Sequence, residues 1–288
     1  MKKTLESVVY NPWLIVIVNT CSIGGFLFSI QSHLNGYPLN SPFLYLTITF
    51  IIILFSIGLY SLKENKKRQS YIKIFKNIHH INHKYRDTLF KIFNLSNQLS
   101  NNDLLHEQSD ILSQICQIIR DIYQELIQRP CVVTLKLIKT DRDPNEKVCE
   151  TYVRSDCVQR DDLSILEYKI GTNANTAFDV ALKINHDFEN CSHFFSGDLG
   201  KMKEYNNERP NWNKMYKSAI VVPIRALVYK NKTIIHCDEI GFLCVDTKYI
   251  NRLNDDDHVQ ILAAFADQMY NFISLMSRKY LTNNTLKA

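Results

Sequence analysis

His79, His83 and Asp87 recur at intervals of four residues. On a helix this spacing sets three metal-ligating side chains on one face, as zinc sites do. A structural zinc site takes four ligands, and this face supplies three and points toward solvent, so no metal is expected there. The chain has eight cysteines, but no two are spaced C-x-x-C and they scatter over several predicted elements. Buried free thiols in a reducing cytosol are the expected state. No Ser-His-Asp set or carboxylate pair is singled out by spacing. No catalytic residue, enzyme activity or cofactor is expected.

Asn19, Ser22 and Ser29 are polar residues in apolar company, since residues 7–62 contain no Asp, Glu, Lys or Arg. Two apolar runs lie inside that stretch: WLIVIVNTCSIGGFLFSI (13–30) and FLYLTITFIIILFSIGLYSL (43–62). About 20 residues of helix cross the hydrocarbon core of a bilayer. Tyr10, Trp13, Tyr37 and Tyr60 fall near the predicted boundaries, where amphipathic rings prefer to sit. A cleaved signal peptide is the competing reading of the first run, but no small-x-small cleavage site stands out and a second run follows directly. A two-helix transmembrane hairpin over residues 1–62 is therefore expected.

Nine Lys/Arg between Lys63 and Lys91 face only Glu64 and Asp87, so this block carries +7 of a chain whose total is +5. By the positive-inside rule the block lies in the cytoplasm, with both termini, giving a multi-pass protein of the bacterial inner membrane. Anionic inner-leaflet lipid is partner enough for these charges. The remainder is net negative, which argues against direct nucleic-acid binding. In the first run, Asn19, Ser22, Ser29 and the Gly24–Gly25 pair read either as a helix-packing face or as a wall that meets water in an oligomer.

After the membrane, Tyr71, Ile78, Tyr85, Ile92 and Leu99 hold one heptad position, and Ile74, Ile81, Thr88 and Leu95 the other. A coiled-coil linker helix over residues 63–101 that pairs with a copy of itself is expected, a helix docked on its own domain being the alternative. Residues 102–288 then read as helix, hairpin, small helix, hairpin, helix. Ser100–Asn102 caps the first helix, CVVTLKLIKT and KVCETYVRSD form one hairpin, and SAIVVPIRALVYK and TIIHCDEIGFLCVDT form the second. Asn254 caps the last helix. This is an α+β domain, an antiparallel sheet with flanking helices.

SAIVVPI, then IGFLCVD, then Leu253, Asp257 and LAAFADQM resemble the C-terminal half of a GAF domain, a small-molecule sensor fold. The resemblance covers about residues 104–280, by motif at the end and by element order before it. It implies a strand in which Gly241 allows close packing and Asp246 ends the strand. It also implies a pocket between the sheet and residues 172–217, lined by Phe178, Phe194, Phe195, Arg209, Trp212 and Tyr216 or with those aromatics filling a second core. An aromatic set with an arginine suits a planar or anionic ligand. The Asn-Lys…Phe…Asp-Glu signature of cyclic-nucleotide-binding members is absent. The Cys-His pair of bilin-binding members is replaced by Cys191-Ser192-His193, one residue too long.

Eight residues, LTNNTLKA, follow the last predicted helix, and no output domain is visible. The expected function is a non-enzymatic two-span membrane effector: its GAF-like domain senses a ligand or an operon partner protein and triggers permeabilisation. This layout is similar to that of effectors of bacterial anti-phage abortive infection. The alternative is a membrane-anchored sensory adaptor that regulates a separate enzyme.

Overall fold

The computed structural model describes residues 42–95, 100–139, 147–155, 167–183, 192–209, 211–230, 233–255 and 257–285. The first apolar run, with Asn19, Ser22 and Ser29, lies outside these residues, as do Leu99 and Cys191. The chain divides into two compact units, Met1–Lys73 and Ile74–Ala288.

Helix α1 (Pro42–Leu95) carries the second apolar run. Among the described residues it is the one helix long and apolar enough to cross a membrane, and its apolar stretch is almost wholly exposed. Ile52, Ile53, Phe55, Ile57 and Leu59 are exposed along it. Apolar side chains exposed over this length fit a lipid environment.

The second unit contains the end of α1, then α2 (Asn101–Ile127), β1 (Val132–Lys139), β2 (Val148–Arg154) and β3 (Glu167–Lys169). Next come α3 (Thr176–Leu182), β4 (Phe194–Ser196), a short 3-10 turn at Leu199–Lys201 and α4 (Trp212–Met215). The long hairpin β5 (Ser218–Lys230) and β6 (Thr233–Thr247) leads into α5 (Asp257–Thr285). Among the described residues, six strands form one antiparallel sheet in the order β3-β2-β1-β6-β5-β4.

Local chemistry sets the helix boundaries. Ser100 opens α2 with a reciprocal cap: its Oγ accepts from the Asp103 amide at 3.2 Å, and its own amide donates to Asp103 Oδ2 at 2.9 Å. Gln128 closes the helix in a left-handed conformation, φ 54°. Asn254 opens α5 in the same reciprocal manner, accepting from the His258 amide at 3.0 Å and donating its amide to His258 Nδ1 at 3.1 Å. The Tyr123 hydroxyl ties α2 to this cap by donating to the His258 carbonyl.

One face of the sheet, built from Val133, Leu135, Ile220, Val222, Ile224, Leu243 and Val245, is covered by the apolar stripes of α2 and α5. Part of α1 joins them. Ile74, Ile81, Tyr85 and Ile92 are buried in the same core, Ile78 packs against it, and the Tyr85 and Phe272 ring centroids are 5.0 Å apart. Thr88 is buried as well. This burial matches the alternative expectation for the seam, a helix docked on its own domain. From Ile74 onward the seam lies on the chain's own domain, because α2 and α5 present a groove that buries it. Tyr71 is exposed, and the side chain of Leu95 is outside the described set.

Gly241 holds the middle of the sheet together. A Cβ at this position would sit 2.0 Å from the Lys136 carbonyl oxygen, so only glycine lets β6 approach β1 here. β6 continues through Asp246 to Thr247, one residue past the expected end.

Candidate ligand site

The other face of the sheet turns chain polarity inward. Along β1 the residues alternate with Val133 and Leu135 toward the helices, and Thr134 and Lys136 toward the opposite side; on β6, Leu243 and Val245 alternate with Phe242, Cys244 and Asp246 in the same way. A register shift after Leu135 pairs Lys136 with Thr151 and leaves Thr134 opposite Arg154. A second core of Cys149, Tyr168, Phe178, Ala181, Phe194, Tyr216, Val221 and Phe242 covers this face.

Its cover is fastened by side-chain hydrogen bonds. Asn175 Nδ2 donates to the Lys169 carbonyl at 3.0 Å and to Glu208 Oε2 at 2.8 Å, while its Oδ1 accepts from the Glu208 amide at 3.1 Å. The Thr176 amide donates to the Asn206 carbonyl, and Thr176 Oγ1 accepts from the Asn206 amide at 2.8 Å. Residues 204–209 are thereby stitched to the start of α3. Asn207 then sets the inner wall: its Nδ2 donates to the hydroxyls of Tyr216 (2.7 Å) and Tyr205 (3.1 Å), and its Oδ1 accepts from the Arg209 amide at 2.9 Å.

Under this cover lies a cavity of about 60 Å³. It has room for a few waters or a ligand of a few heavy atoms, far below the roughly 300–1,000 Å³ of a drug-sized site. Its charged wall is Lys136, Arg154 and Arg209 against a single carboxylate, Asp246, and its aromatic wall is Tyr168, Phe178, Tyr205 and Tyr216. Arg209 is 4% exposed and Lys136 6%.

Lys136 is the unusual member. Nζ donates to Thr151 Oγ1 at 2.8 Å and lies 3.7 Å from the centroid of the Tyr168 ring. It makes no ion pair among the described residues. Burial is the main cause that pulls its pKa down to about 8, and the positive charge of Arg154 and Arg209 adds to it. Burial also holds the Tyr205 and Tyr216 hydroxyls protonated, raising both above the ordinary phenol value. A cavity with three cations, one acid and aromatic walls is suited to a small anion, planar for preference.

Of the six residues expected at the site, Phe178, Arg209 and Tyr216 line the cavity. Phe194 and Trp212 stand behind it, with Tyr205 ring contacts at 5.8 and 4.7 Å. Phe195 packs instead with the core on the opposite face of the sheet, because it alternates with Phe194 along β4. Lys136, Arg154, Tyr205, Asn207 and Asp246 were not expected. The alternation in CVVTLKLIKT was the signal available for Lys136.

The His79–His83–Asp87 face is organised by hydrogen bonds. Arg86 binds Asp87 Oδ1 through Nε (2.9 Å) and Nη2 (2.8 Å), and Nη2 also donates to His83 Nδ1 at 2.6 Å. A guanidinium only donates, so the His83 proton is on Nε2, which donates to His79 Nε2 at 2.9 Å. In this arrangement His83 Nε2 has no lone pair to offer a metal.

No protein-family model matches the sequence, and no curated protein matches it at a significant level. Several solved structures are similar to the chain, three of which follow. One is a GAF domain, 14% identical over 61% of this chain and 88% of that chain, with a TM-score of 0.36. Another is a far-red cyanobacteriochrome photoreceptor, 16% identical over 66% and 96%, TM-score 0.38. The third is the GAF domain of a phosphoenolpyruvate-protein phosphotransferase from Coxiella burnetii, 13% identical over 62% and 95%, TM-score 0.38.

Proposed function

We propose that this protein is a membrane-anchored sensor whose GAF-like domain binds a small anion in the cavity behind its sheet. The observation that carries this reading is Lys136, a buried ammonium with no ion-pair partner among the described residues, in a cavity it shares with Arg154 and Arg209. Burying an uncompensated cation is expensive, and a bound anion offsets that expense. The anchor is the apolar run of α1, preceded in this reading by the run at 13–30 as a two-helix hairpin with both termini cytoplasmic. The basic block that follows lies on anionic lipid.

The output we propose is the membrane itself. Asn19, Ser22 and Ser29 supply a polar face in the first span, and assembled copies turned by the sensor domain line a leak with that face, as in a two-span effector of anti-phage defence. The domain carries out no catalysis in this scheme. The test is dye entry into cells expressing the full chain: wild type admits dye on activation or overexpression, while Asn19→Leu inserts in the membrane and admits none. Wild type that never admits dye sinks the permeabilising output and leaves an adaptor that regulates a partner enzyme. For the ligand, a thermal shift of the detergent-solubilised full chain against a panel of small anions is expected to show stabilisation that Arg209→Leu abolishes. A panel that leaves wild type unmoved overturns the sensor site.

A further inference from the structure

Lys136 is more than a counter-charge. A small anion needs cations, and Arg154 and Arg209 already supply two that keep their charge under any burial. A lysine at the centre of a strand, only 6% exposed, is a costlier way to add a third. What a lysine offers and an arginine does not is a nitrogen that can lose its proton and form a bond to carbon. Two conditions make such an amine reactive: an apolar surround, and neighbouring positive charge that disfavours the ammonium. Both are present. The ring of Tyr168 is 3.7 Å from Nζ and that of Phe178 5.8 Å, and Arg154 and Arg209 line the same cavity. With its pKa lowered to about 8, roughly a tenth of the amine is neutral at pH 7, against well under a hundredth for an ordinary lysine.

We propose that Lys136 captures a small carbonyl acid, an aldehyde or 2-oxo acid of a few heavy atoms, as an imine, with the ligand's carboxylate taken by the guanidiniums of Arg154 and Arg209. This rests on the reading of the cavity as an anion site and names the class of anion. The neutral Nζ attacks the carbonyl carbon, a C–N bond forms, and the carbonyl π pair moves to oxygen. Transfer of a proton from nitrogen to that oxygen gives a carbinolamine. Loss of water breaks the C–O bond, the water carrying both amine hydrogens, and leaves the imine. Hydrolysis reverses each step, no oxidant or reductant is consumed, and the capture is a reversible sensing event. The cavity of about 60 Å³ restricts the ligand to this small size.

The test uses the full-length protein in detergent, glyoxylate as probe and cyanoborohydride to reduce any imine to a stable amine, followed by peptide mass mapping. Lys136 is expected to gain a carboxymethyl group saturably and at least about tenfold faster than the exposed Lys63 and Lys66, its much larger neutral fraction outweighing the lower nucleophilicity of a less basic amine. Excess formate, a competing carboxylate without an aldehyde to condense with an amine, is expected to slow that labelling and not the labelling of the exposed lysines. Labelling of Lys136 no faster than of Lys63, in protein that glyoxylate still stabilises thermally, overturns imine capture and leaves a non-covalent anion site. Neither labelling nor stabilisation overturns both readings. Lys136→Arg provides the converse: retained stabilisation by glyoxylate with no adduct at residue 136.

Discussion

Lys136 combines a strand position, a burial and a charge that rarely coincide. Its pKa is lowered from 10.5 to about 8, so between these values the unfolded chain binds a proton that the folded chain does not. Stability therefore rises with pH across that window, and below about pH 8 the full cost of holding the ammonium is present. At 1.36 kcal/mol per pH unit, that cost is on the order of 3 kcal/mol. Lys136→Met, tested without ligand, is expected to raise stability at pH 7 by up to that amount and to flatten the rise between pH 8 and 10. Denaturant unfolding of both proteins at pH 7 and 9.5 checks this; a variant less stable at pH 7 contradicts it. The sequence displays Lys136 plainly in CVVTLKLIKT, but alternation alone assigns Thr134 and Lys136 to a solvent face. What alternation cannot show is that α3 and residues 204–216 cover that face.

Among the elements, α1 shows how an apolar stripe is underdetermined. Its heptad seam specifies a partner surface and not whose surface it is, and from Ile74 onward the surface is supplied by α2 and α5. Tyr85, on that seam, is buried beside Phe272, and its hydroxyl has no hydrogen-bond partner among the described residues. A buried unsatisfied hydroxyl is worth removing: Tyr85→Phe is expected to stabilise the protein by about 1 kcal/mol, read as a higher unfolding midpoint. Loss of stability in that variant would show that the hydroxyl has a partner, as it would in an intermolecular helix pair. The cavity cover is the second such element. Asn175→Ala removes three hydrogen bonds and is expected to cost about 1–3 kcal/mol and to speed amide exchange over residues 204–209 while α2 and α5 stay protected. Uniform loss of protection would make Asn175 a global rather than a local fastener. Both long hairpins and the capped helices were legible from the change of hydrophobic period and the cap residues. β3, with three residues, and α4, with four, are too short to display a period.

At the scale of the whole molecule, an apolar helix and an α+β domain are consecutive parts of one chain, α1 running unbroken from Pro42 to Leu95. The domain's two sheet faces divide the work. The face under α1, α2 and α5 is apolar and holds the fold, while the face under α3 and residues 204–216 buries charge. The motif resemblance pointed to the second face as the pocket side and to Arg209 and Phe178 on its wall. The cationic character of that wall came only when the sheet brought Lys136, Arg154 and Arg209 to one cavity from positions far apart in sequence. In the proposed function this cavity admits a small anion. Trp212 reports on it, packed 4.7 Å from Tyr205 at the cavity's back, and the chain's one other tryptophan, Trp13, is removable as Trp13→Phe. The most direct measurement is Trp212 fluorescence of the detergent-solubilised full-length Trp13→Phe protein, titrated with glyoxylate and with formate at constant ionic strength. A saturable change that Arg209→Leu abolishes is expected; a signal that stays flat, or one that saturates equally in the Arg209→Leu protein, would rule out an anion site in this cavity.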